Sequence, residues 1–174
     1  MPLKNIMVHL DHSPRSAARL ELAVALAARH QARLVGVFGQ LAASQRVGMV
    51  VTWPSAEYSE AAGASKAAFV AASAALEQTA WVDINRGGEG EVLRHVTELA
   101  RHADLVVLGQ HEEDQSPAPA ALAEHVVLHS GRPVLILPYA GSFAEVGKRP
   151  LFAWSNAREA ARALNDALPL VQPA

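Results

Sequence analysis

Leu105-Val106-Val107-Leu108-Gly109 is a run of four apolar residues closed by a glycine. A strand with no polar residue on either face has no solvent side, so the run predicts a parallel strand covered by helices on both faces. Just upstream, residues 91–102 carry Val92, Leu93, Val96 and Leu99 at helical spacing. Downstream, a polar loop over 110–119 leads to a helix over 120–129 and a second apolar run, Pro133-Val134-Leu135-Ile136-Leu137. The same alternation extends toward the amino terminus. Ile6-Met7-Val8-His9-Leu10 predicts a strand, ended by the helix-entry cluster Asp11-His12-Ser13-Pro14. Leucines and alanines at helical spacing follow over about 15–31, and Leu34-Val35-Gly36-Val37-Phe38 predicts the next strand. Residues 40–59 show no period and read as a long loop, whose Met49-Val50-Val51-Thr52-Trp53 run suits a lid or a contact patch. A helix is expected over 61–77, a strand at Trp81-Val82-Asp83-Ile84 and a flexible turn at Gly87-Gly88-Glu89-Gly90.

Strands alternating with helices in this way predict an α/β domain built on a five-stranded, doubly wound parallel sheet. Such sheets take ligands beyond the carboxyl ends of the strands, where the winding direction reverses. With the first and fourth strands as central neighbours, the crevice falls between residues 11–13 and residues 109–116.

Composition narrows the function. Half of the 174 residues are hydrophobic and 35 are alanine, enough for a sizeable core of closely packed helices. Fifteen basic residues against 17 acidic ones argue against non-specific nucleic-acid binding. The absence of cysteine excludes a disulfide scaffold, a thiolate metal site and a cysteine nucleophile. No signal peptide and no bilayer-length apolar stretch is visible, so a soluble, cytoplasmic protein is expected.

The tail echoes the head. Residues 139–149 read as a linker. The stretch Leu151-Phe152-Ala153-Trp154-Ser155-Asn156-Ala157-Arg158-Glu159-Ala160-Ala161-Arg162 then parallels the opening strand, polar turn and Ala-Ala-Arg helix. Residues 150–174 are therefore expected to form a strand and a helix, an incomplete second repeat after a first domain at 1–138. A strand and helix alone cannot bury their apolar faces. They need the first domain, another chain or further sequence.

Three segments together resemble the universal stress protein family: the opening strand with Asp11-His12-Ser13, Ala103-Asp104-Leu105-Val106-Val107-Leu108-Gly109, and residues 123–137. The resemblance covers 1–138, and the tail resembles the opening of another such domain, as in a tandem-type member cut short. It implies an adenine-nucleotide alpha hydrolase-like fold, a stress-response or regulatory role without catalysis, and pairing of subunits through the last strand. Residues 133–137 are then the expected homodimer edge, with 150–168 contributing to the interface.

The resemblance also bears on nucleotide binding. ATP-binding members carry a glycine, two residues, a second glycine, nine residues, then Gly-Ser or Gly-Thr. Glycines let backbone amides approach phosphate, and the helix that follows favours anions. Gly109 matches the first glycine, with Gln110 and His111 after it, but the second falls on Glu112 and the Gly-Ser pair on Ala120-Ala121. The intervening loop is also two residues short. Glu112, Glu113 and Asp114 would then lie along a triphosphate, each repelling a phosphate charge by about 4 kcal/mol at about 4 Å and intermediate dielectric. A degenerate pocket with no cofactor is the expectation, and an ATP- or AMP-binding protein with weak or no hydrolysis is the alternative. Asp11, His12, Ser13 and Val37 resemble the family's adenosine-side contacts. By their own chemistry they are also a turn-forming aspartate, a loop histidine, a helix-capping serine and a strand residue. No metal site is expected. His125 and His129 have chelating spacing but offer only two ligands, and nothing in the spacing of His9, His12 and His111 demands convergence. A histidine metal sensor stands as a third class. No Gly-x-Ser-x-Gly elbow is present, so a serine hydrolase is not indicated.

Overall fold

Both faces of the central strands are covered, which is why their sequences show no polar alternation. In the computed structural model, which describes residues 3–47, 50–143 and 145–171, the chain runs β1 (Asn5–Leu10), α1 (Ser16–His30), β2 (Arg33–Phe38), β3 (Gln45–Val47), β4 (Val50–Thr52), α2 (Ala56–Ala72), β5 (Thr79–Asp83), α3 (Glu89–Ala100), β6 (Leu105–Gly109), α4 (Leu122–His129), β7 (Val134–Leu137) and α5 (Arg158–Val171). Five strands form an all-parallel sheet in the order β5-β2-β1-β6-β7, the doubly wound α/β architecture expected from the sequence. Ile6, Val8, Leu105 and Val107 face α1 and Phe69 of α2. Met7, Val106 and Leu108 face the other way, against Val92 and Val96 of α3 and Val126 of α4. The winding reverses between β1 and β6, so their carboxyl ends flank the crevice.

The periodless stretch after β2 is more ordered than a loop. β3 and β4 form an antiparallel hairpin, and strands of three residues are too short to leave a period in the sequence. Met49 lies outside the described residues. Trp53, expected in a lid or contact patch, is tied down: its indole N–H donates to the Asn85 carbonyl at 2.9 Å, and its ring lies 4.9 Å from that of Tyr58. α2 begins earlier than its composition suggested because Ser55 caps it, its hydroxyl oxygen accepting from the Tyr58 amide at 3.2 Å. Glu89 and Gly90, expected in a flexible turn, already belong to α3. Gly88 is the cap of that helix, and Glu89 and Glu91 lie in its first turn, where acidic charge suits the helix dipole.

The tail is half as expected. α5 is present, but Leu151-Phe152-Ala153-Trp154 joins no strand ladder and its residues are exposed. A strand exists only where another backbone satisfies its amides and carbonyls, and among the described residues none pairs with this segment. The tail instead packs beside α1, where Val146 and Leu170 lie against the core cluster that holds Leu22, Leu26 and Leu137. Arg15 donates to the carbonyls of Pro138 and Gly141, at 3.0 and 2.9 Å, and Arg162 donates to that of Gly131 at 3.0 Å. A cavity of about 520 Å³ remains between the tail and α1, with Leu22, Leu26, Val146 and Leu170 in its wall.

One close approach within the core is set by a missing side chain. Gly36 of β2 faces the Phe69 ring, and a Cβ at Gly36 would lie 2.6 Å from Phe69 and 3.1 Å from Trp81. Those two rings are themselves packed at 5.5 Å, so neither can yield without opening the α2 contact. Gly36→Ala is expected to cost about 1–3 kcal/mol through overpacking, read as a lower urea midpoint at unchanged slope.

Candidate functional site

The crevice at the carboxyl ends of β1 and β6 is built around a buried ion pair. Asp11 follows the last residue of β1, and Arg19 comes from the second turn of α1. Arg19 Nη2 lies 2.7 Å from Asp11 Oδ1, with side chains 4% and 1% exposed. The same Asp11 oxygen accepts from the Ser13 amide at 2.9 Å and the Ser13 hydroxyl at 2.5 Å. The Arg19 side chain lies against Gly109 at the end of β6, where any side chain would collide with Arg19 Nη1. Gly109 thus makes room for an arginine belonging to its own chain.

Burial governs the protonation of this centre. It opposes ionisation of Asp11, but Arg19, His9 and the Ser13 hydrogen bonds outweigh it and hold the carboxyl below the usual carboxylate range. His9, fully buried on β1, is pushed down to about 4 by burial, with Asp11 pulling the other way and Arg19 adding to the lowering. Its Nε2–H donates to the Gly39 carbonyl at 2.7 Å, which keeps the neutral ring in place.

Little space is left. The cavity among His9, Asp11, Arg19, Gly109, His111 and Ser116 has a volume of about 10 Å³, which is room for roughly one water molecule. Four buried polar atoms near it lack a hydrogen-bond partner: Asp11 Oδ2, Arg19 Nε and Nη2, and His111 Nδ1. A larger cavity, about 420 Å³, lies beyond the carboxyl end of β2, lined by Gln40, Leu41, Ala42, Ser55, Glu57 and Tyr58 among others.

The sequence model of the universal stress protein family matches residues 2–138, well over half of the chain. The chain belongs to the universal stress protein family. Solved structures agree on the fold. A universal stress protein from Archaeoglobus fulgidus is 18% identical, with 76% of this chain and 92% of that one covered at a TM-score of 0.53. UspA from Lactobacillus plantarum is 24% identical over 77% and 97%, with a TM-score of 0.53. The Archaeoglobus fulgidus protein in complex with dAMP is 19% identical over 78% and 98%, with a TM-score of 0.52. No curated protein sequence matches.

Within this universal stress protein fold, the residues singled out in the sequence separate into two groups. Asp11, Gly109, His111 and Ala120 meet around the small cavity. His12, Ser13, Val37, Gln110 and Ala121 do not line it. The His12 amide donates to the Gln40 side chain at 2.9 Å, while the His12 ring is exposed. Ser13, expected as a helix cap, turns back onto Asp11; Arg15 holds the cap position without a side-chain bond. Val37 is fully buried in the sheet. The Gln110 amide extends the ladder to the Leu137 carbonyl at 2.8 Å, and the Ala121 carbonyl accepts from the His125 amide at 2.8 Å.

The acidic loop also departs from expectation. Glu112, Glu113 and Asp114 do not line the cavity. The Glu112 carbonyl accepts from the amides of Gln115 and Ser116, and its carboxylate accepts from the Gln115 side chain at 3.1 Å. Glu113 and Asp114 face solvent. The Leu41 amide, donating to the Pro117 carbonyl at 2.8 Å, ties this loop to the end of β2. Among the described residues, no group of three or more histidine, cysteine or acidic side chains is placed to hold a metal. His125 and His129 pack ring to ring at 4.6 Å, and His125 Nδ1 shares a 2.9 Å hydrogen bond with Thr97.

Arg19 was not among the residues read from the sequence as functional. One signal was available: it shares the inward stripe of α1 with Ala23, Leu26 and Ala27, all buried. A charged residue on that stripe has to find a partner inside.

The buried histidine makes stability depend on pH. Its folded pKa of about 4 lies below the unfolded 6.5, so the unfolded chain takes up the proton first as pH falls. The stability from the neutral ring is complete above 6.5 and is lost as pH drops toward 4, a total of about 3 kcal/mol. His9→Gln is expected to flatten this loss in urea titrations between pH 7.5 and 4, leaving the smaller contribution of His30, which burial also lowers.

Proposed function

We propose that this universal stress protein is a non-catalytic regulatory module of the cytoplasmic stress response whose nucleotide pocket is degenerate, and that it acts as a homodimer. One observation supports the pocket reading: the cavity lined by His9, Asp11, Arg19, Gly109 and His111 measures about 10 Å³, with the Arg19 side chain lying against Gly109. A nucleoside phosphate is far larger, and it would have to separate a buried ion pair to enter. The shorter loop supports the same reading. Its Glu112 carbonyl accepts from two of the loop's own amides, and Glu112 stands at the second glycine and Ala120-Ala121 at the Gly-Ser pair.

The dimer reading is supported by apolar exposure at the β7 edge. Val127 and Leu128 of α4 and Ile136 of β7 are exposed, as are Leu151, Phe152 and Trp154 in the tail. Exposed edge strands with apolar side chains call for cover. We assign that cover to a second copy meeting residues 133–137, with residues 150–168 adding to the interface.

The alternative, a protein that holds ATP or AMP, is favoured by the 420 Å³ cavity beyond β2 and by solved universal stress proteins in complex with cAMP and dAMP. Calorimetric titration with AMP and Mg-ATP separates the two. No saturable heat is expected at about 100 μM ligand. A dissociation constant below about 10 μM, roughly 7 kcal/mol of binding, reverses the choice. Light scattering tests the dimer: the full chain is expected at twice its monomer mass, and Ile136→Lys at the monomer mass.

A further inference from the structure

We propose that Arg19 is the specificity-determining residue of the crevice: its guanidinium is a tethered occupant, and it excludes nucleotides by filling the site rather than by repelling them. This rests on the degenerate-pocket reading and names its cause. Two causes are open to a chain that has lost a phosphate cradle. Acidic side chains can repel the ligand, or a group of the protein can take its place. The first requires Glu112, Glu113 and Asp114 to face the crevice, yet none lines it and two of the three are solvated. A solvated charge acts through a high dielectric and is screened by salt.

The second is what the arginine does. Arg19 is 3% exposed, an unusual position for the longest cationic side chain. Its guanidinium lies against Gly109, on the surface that would otherwise be open for close approach. It carries the positive charge that neutralises Asp11, so the crevice is electrically complete without a ligand. The ion pair at 2.7 Å is close but not aligned as a hydrogen bond. Arg19 Nη2 is held by that ion pair, while Arg19 Nε, Asp11 Oδ2 and His111 Nδ1 have no hydrogen-bond partner around the same small cavity. These are the features of a site built for a polar occupant, with the occupant supplied from α1. Removing Arg19 leaves a space shaped for a guanidinium beside a buried carboxylate.

Three variants and one small molecule test this. Asp11→Asn/Arg19→Ala removes the cation together with its counter-charge, so no unpaired ion stays buried. Glu112→Gln/Glu113→Gln/Asp114→Asn neutralises the loop and keeps Arg19. Titrated with AMP, the first is expected to bind at least about tenfold more tightly than the wild type, a difference of about 1.4 kcal/mol, and the second no more tightly. In parallel, about 10 mM methylguanidinium is expected to raise the melting temperature of Arg19→Ala by about 3 °C and to leave the wild type unchanged, because it refills the space beside Asp11. No gain of AMP binding in the double variant overturns the proposal, as does a gain confined to the loop variant. If the double variant does not fold, the methylguanidinium measurement decides, and an absent rescue overturns it. Tight AMP binding by the wild type, with still tighter binding by the double variant, overturns the degenerate-pocket reading and leaves the role of Arg19 standing.

Discussion

A parallel sheet buried on both faces can present chemistry only at its ends, and here that constraint meets an arginine pointing inward. β1 and β6 lie at the centre of the sheet with apolar residues on both sides. Polar groups brought along by those strands collect beyond their carboxyl ends, where His9, Asp11 and Gly109 lie within one small volume. Arg19 enters that volume from α1 and sets its character. Its charge holds Asp11 ionised and adds to the pressure that keeps His9 neutral, and its bulk takes the space in front of Gly109.

The buried pair is not a simple gain in stability. Bringing two charges out of water costs several kcal/mol per ion, and the attraction between them repays this only with good geometry and further hydrogen bonds. Asp11 has those bonds, from the amide and hydroxyl of Ser13. Arg19 lacks them on Nε and Nη2. Such an arrangement trades stability for a defined charge state and a closed crevice. At the switch point between β1 and β6 the small cavity is therefore walled by a side chain from α1.

The rest of the molecule is organised around the sheet edges. On the α1 side, Val146 and Leu170 of the tail pack against the core cluster that includes Leu137 of β7, while Ile136 of β7 and Val127 and Leu128 of α4 are exposed. The tail thus contributes to the core of its own subunit. The apolar segment at 151–154 stays outside that core, next in sequence to the helix that serves it.

The sequence by itself determined the five-stranded sheet, its parallel sense, the order of its strands and helices, and the point where the winding reverses. Each follows from local periodicity and from turn residues, and β1, β2, β6 and β7 stand within one residue of their expected bounds. It did not show β3 and β4, whose few residues carry no period, nor the start of α2, which depends on the Ser55 cap. It suggested a strand at Leu151–Trp154 from apolar character alone, but a strand also needs a partner backbone. Asp11 and Gly109 were singled out in the sequence by their positions just after β1 and at the end of β6. What they do was decided only in three dimensions. The contacts Arg19–Asp11 and Arg19–Gly109 join residues 8 and 90 positions apart. No local pattern encodes whether a buried cation meets a carboxylate or where its guanidinium comes to rest.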